Sequence, residues 1–160
     1  MSGKSFDAVD ETLRISLEST LSAAGARYRR EERRQPEHVV TYVVETRENT
    51  DLNLSLQLVA DQLNVCFNGC AVLLEYAAHV PKFGRNPSAL ADWRSECLDT
   101  VRAVLSSDLR ISVRAWGKRV FGGFLWRREG DRWICVGGGG SLLMFLGFSQ
   151  TREYRDWLAR

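Results

Sequence analysis

"LNVCFNGCAVLLEY", residues 63–76, decides how this chain folds. Asn68-Gly69 stands at its centre, the dipeptide preferred in two-residue β-hairpin turns because both positions take φ > 0. Folding there pairs Phe67 with Cys70, Val65 with Val72 and Leu63 with Leu74. All six side chains then share one face, and Tyr76 continues the row. The rival reading is a helix, whose four-residue spacing would bring Cys66 and Cys70 together as metal ligands. In the hairpin Cys66 lies across from Ala71 and the two thiols point to opposite sides. The expectation is a hairpin, with neither a metal nor a cofactor bound.

The flanking segments extend the same pattern. "LNLSLQL" (52–58) alternates, with Leu52, Leu54, Leu56 and Leu58 on one side, as a half-buried strand should. "HVVTYVVET" (38–46) is β-branched and aromatic, a buried strand. "RYRREERRQPEH" (27–38) reads as a charged connection that begins with a short edge strand. Before it, Phe6, Val9, Leu13, Leu17, Leu21 and Ala24 recur at helical steps and Gly25 ends the run. A second helix starts at "NPSALADW" (86–93), capped by Asn86 with Pro87 at its first position. Its apolar stripe is Leu90, Trp93, Cys97, Val101 and Val104. "LRISVRAWGKRVFGGFLW" (109–126) reads as a second hairpin about Gly117, "DRWICVG" (131–137) as a returning strand, and residues 149–158 as a closing helix. Strands joined by tight hairpins run antiparallel. The expected fold is a single α+β domain over 1–160: antiparallel sheet from hairpins, packed on two long helices and a short C-terminal helix.

The glycine run Gly137–Gly140, followed by Ser141, invites comparison with phosphate loops. No lysine accompanies the serine, the G-x-G-x-x-G spacing fails at Leu142 and Leu143, and G-x-S-x-G fails at Leu143. The glycines are expected to reverse the chain so that Leu142, Leu143, Met144, Phe145, Leu146 and Phe148 fold back. That apolar run either completes the core or forms an interface, with a partner or in a homodimer, in which Leu142, Leu143, Met144, Phe145 and Phe148 take part. His38, His79 and the four cysteines supply reactive groups but no arrangement, and Asp10-Glu11 and Glu31-Glu32 lie in charged surroundings. Nothing here demands an enzyme.

Composition sets the outer bounds. The 160 residues are 44% apolar and 26% charged, ordinary for a soluble globular chain. No apolar run approaches the roughly 17–25 residues of a membrane span. The polar start "MSGKSFDAVDETLRI" is unlike a secretory leader, and four cysteines without one read as reduced thiols. Together these predict a cytoplasmic protein without a membrane partner. Arginine outnumbers lysine nineteen to three, a skew that points to a GC-rich bacterial genome.

Charge is uneven. Residues 109–137 carry seven basic side chains against two acidic ones, whereas 38–64 carry one against four. On the second hairpin, Leu109, Ile111, Val113, Ala115, Val120, Phe124 and Trp126 are expected on the core face. The other face gathers Arg110, Arg114, Trp116, Arg119, Phe121, Leu125 and Arg127, joined by Arg132. Such a face can be a solvated exterior, a protein-binding face anchored by Trp and Arg, or a single-stranded nucleic-acid surface. The element order loosely resembles the small dimeric α+β chaperones of bacterial secretion systems and the immunity-type domains that neutralise toxins, although no motif of either is present. The expected function is a non-catalytic bacterial domain that binds another protein. Single-stranded nucleic-acid binding is the alternative, and a small-molecule pocket or enzyme comes third.

Overall fold

Asp10 opens the first helix, α1 (Glu11–Ala23): its Oδ1 accepts from the Leu13 amide at 2.7 Å, satisfying one of the donors a helix start leaves free. The computed structural model describes residues 8–48, 50–76 and 87–160; Phe6, His79 and Asn86 lie outside the described residues. Leu13, Leu17 and Leu21 are buried, and Gly25 follows the helix at φ +67°.

Five strands come next: β1 (Tyr28–Arg33), β2 (Val39–Val44), β3 (Leu54–Val59), β4 (Gln62–Phe67) and β5 (Cys70–Glu75). They form one antiparallel meander in chain order. The hairpin at Asn68-Gly69 has the expected register, Phe67 opposite Cys70 and Val65 opposite Val72, with φ of +44° and +83° at the turn. The leucines of β3 and the odd positions of β4 face inward. Helix α2 (Pro87–Ser106) buries Trp93, Cys97, Val101 and Val104 in the same core, which also includes residues of both sheets. Trp93 donates its indole N–H to the Leu74 carbonyl at 3.1 Å. Arg94 reaches Asp10 at 2.6 Å and ties the two helices together.

A second antiparallel sheet holds β6 (Leu109–Trp116), β7 (Arg119–Glu129), β8 (Arg132–Gly140) and β9 (Phe148–Tyr154), in the order β8-β7-β6-β9. Among the described residues the architecture is therefore α+β, with two antiparallel sheets and two α-helices.

Two expectations fail here. Residues 149–158 do not form a closing helix, since β9 pairs with the free side of β6 from Leu109–Tyr154 to Ala115–Phe148. A segment this short is marginal as an isolated helix, whereas the β6 edge supplies a full set of backbone partners. Nor do Gly137–Gly140 reverse the chain. They continue β8, with Gly140 opposite Gly122 and Gly139 opposite Gly123, and the reversal comes later, in a 3-10 turn at Leu142–Leu146.

Candidate interaction surface

The glycines of β7 and β8 are where the second sheet admits its neighbours. A side chain at Gly137 would run into Val72 and one at Gly123 into Cys70 Sγ, so β5 can lie close against β7 and β8. On Gly122 and Gly140 an added Cβ would meet the opposing strand and, within 2.8 and 2.6 Å, Met144 Sδ. The bare backbone thus forms a seat for Met144, and Met144 anchors the 3-10 turn. Ser141 caps that turn, its hydroxyl accepting from the Leu143 amide at 3.3 Å while its own N–H bonds the Phe121 carbonyl.

With Met144 seated inward, its neighbours face solvent. Leu142 is 90% and Phe145 88% exposed. Phe148, just beyond the turn, is 71% exposed and lies edge-on to Trp116, itself 62% exposed, with ring centroids 6.4 Å apart. Leu143 is exposed as well. Arg114 donates to the Gly147 carbonyl at 3.1 Å, which fixes the end of the turn against β6. Lys118 and Arg119 stand at the adjacent β6–β7 turn, with the Arg119 guanidinium 5.6 Å from the Phe121 ring. The result is an apolar tip bordered by Arg114, Lys118 and Arg119.

Part of the expected basic aromatic face lies elsewhere. Leu125 is fully buried and points into the core. Arg127 lies on the Leu109 side and pairs with Glu129 at 3.6 Å. Conversely Phe124 and Trp126, expected inside, lie on the outer side with Arg110 and Ser112. The cause is a β-bulge: Ala115 faces Val120 but Arg114 faces Gly122, so Phe121 falls between paired residues. One extra residue inverts the facing of everything after it. A second irregularity, at Leu125/Trp126, places Val136 between pairs on β8. Trp133 and Arg128 then join the outer face, neither of them anticipated there. Arg110 covers Trp133 at 4.4 Å and bonds Glu153 at 2.5 Å. Arg132 begins β8 opposite Glu129 and is exposed.

Among the described residues the cysteines and His38 stay apart. Cys66 and Cys70 face opposite sides of the first sheet. Burial pushes the Cys66 and Cys70 thiols above their ordinary value, and Cys97 up to about 12, so all three are protonated thiols at neutral pH. His38 shares a 3.0 Å hydrogen bond with Glu32, which together with Arg34 holds that carboxyl below its usual range. Among the described residues no group of three or more His, Cys, Asp or Glu is placed to hold a metal ion. A groove of about 550 Å³ runs between β5 and β8, lined by backbone glycine, Val72, Leu73, Leu74, Val136 and the buried Cys70. No helix among the described residues is long and apolar enough to cross a membrane. No protein-family model, curated protein or solved structure matches the chain.

Proposed function

We propose that this protein is a non-catalytic binding module that docks another protein through the apolar tip formed by Trp116, Leu142, Leu143, Phe145 and Phe148. One observation carries the reading: four large apolar side chains at one end of the second sheet are 62–90% exposed while the backbone beneath them is held by cap, seat and strand. Scattered exposed leucines need no explanation, but a cluster on a fixed turn marks an interaction site. Leaving such side chains in water gives up burial of about 1.5–3 kcal/mol each, which a partner's pocket recovers. Such a tip supports the reading of an interaction module, of the chaperone or immunity kind. The reduced thiols and arginine-rich composition fit a bacterial cytoplasm.

The nucleic-acid reading loses ground on the same sheet. Arg110 is engaged by Glu153 and Trp133, and Arg127 by Glu129. The test is photo-crosslinking in cells with benzoylphenylalanine in place of Phe145 or Trp116, and in place of Ile15, an exposed apolar residue of α1. The reading expects one common protein adduct from both tip positions and none from Ile15. Adducts absent from the tip, or equal at all three positions, would refute it.

A further inference from the structure

We infer that the occupant of the apolar tip is an acidic segment of another protein, one that carries two or more large apolar side chains among Asp or Glu. The inference rests on the proposed docking role and adds the chemistry of the partner. Its ground is charge. Residues 109–128 contain six basic side chains and no acid, and residues 132–152 contain no acid either. Every element that builds the tip therefore lacks a carboxylate: β6 and its turn, the β7 start, the β8 end, the 3-10 turn and the β9 start. The acids of the second sheet, Glu129, Asp131 and Glu153, come after Arg128 on β7, in the β7–β8 turn and opposite Arg110 on β9.

Arg114, Lys118 and Arg119 flank the exposed Trp116 and the 3-10 turn. Their shared sign raises the local concentration of a partner bearing the opposite one and sets its orientation. The apolar knobs supply affinity, the cations selectivity. A second copy of this chain suits the tip poorly, because a two-fold contact of tip on tip would bring two basic borders together.

The test is selection from a random 16-residue peptide library displayed on phage, against the intact protein and two variants, Leu142→Ser/Phe145→Ser and Lys118→Glu/Arg119→Glu. The expected result is enrichment of peptides with net negative charge and at least two large apolar residues. Their affinity should fall about tenfold or more on Lys118→Glu/Arg119→Glu, fall further on Leu142→Ser/Phe145→Ser, and weaken with salt. Enriched peptides without an acidic bias, or unaffected by the charge reversal, would overturn the inference while leaving the docking role intact. Loss of the tip crosslinks described above would remove both. Sedimentation with phosphatidylserine-containing vesicles, salt-dependent binding of single-stranded RNA through the same residues, or self-association lost in Leu142→Ser/Phe145→Ser would each assign the tip to another occupant and overturn it.

Discussion

At Asn68 one side chain serves both the turn and the packing of the two sheets. It holds φ +44°, its Oδ1 accepts from the Asn53 amide at 2.8 Å, and its Nδ2 donates to the Tyr154 hydroxyl at 3.0 Å. Asn68→Gly should lose the two hydrogen bonds alone, whereas Asn68→Ala also forces an alanine into the left-handed region. Urea unfolding should therefore show the alanine variant less stable than the glycine variant by about 1 kcal/mol. The reverse order would remove backbone conformation from the explanation. Two adjacent glycines make a sharper contrast. A Cβ on Gly140 would sit 2.6 Å from Gly122 Cα and Met144 Sδ, while one on Gly139 would meet nothing within 4 Å. Gly140→Ala should cost about 1–3 kcal/mol, and Gly139→Ala should stay within about 0.5 kcal/mol of wild type. Equal effects would mean that the seat for Met144 is not where the structure puts it.

At the scale of elements, what could be foreseen was what local chemistry decides. The first hairpin was legible because turn residues and alternation agree at Asn68-Gly69. The β7 facing was not, because the two-residue alternation carries no mark of the bulge that leaves Phe121 between pairs. Only Gly122-Gly123 hinted at it, and glycine in a strand signals several kinds of irregularity. The C-terminal strand was hidden for another reason: its pairing depends on the vacant side of β6, a long-range fact. The same holds for the tip, whose residues were picked out as apolar but whose exposure follows from Met144 rather than its neighbours taking the glycine seat. In α2, burial raises Cys97 from an ordinary 9.0 to about 12. A group raised in the folded state favours folding below its unfolded pKa and loses that contribution as pH rises through the folded value. Stability should decline from about pH 9 upward, and Cys97→Ala, whatever its cavity cost, should flatten that decline. An unchanged slope in urea midpoints between about pH 8 and 11 would argue that Cys97 is not buried.

For the whole molecule, the two sheets divide the work. The first buries its inner face against both helices and is edged by the charged strand β1, a common protection for a free edge. The second extends from that core to a glycine-seated turn that holds Leu142 and Phe145 outward beside the exposed Trp116 and Phe148, on segments of the sheet that carry basic residues and no acid of their own. Docking requires those side chains to be free to bind rather than part of the core. Urea unfolding of Leu142→Ser/Phe145→Ser tests that most directly. The unfolding free energy should stay within about 0.5 kcal/mol per substitution of wild type, as for other exposed positions. A combined loss of about 3 kcal/mol or more would place at least one of the two in the core, and the tip would then not be free to dock.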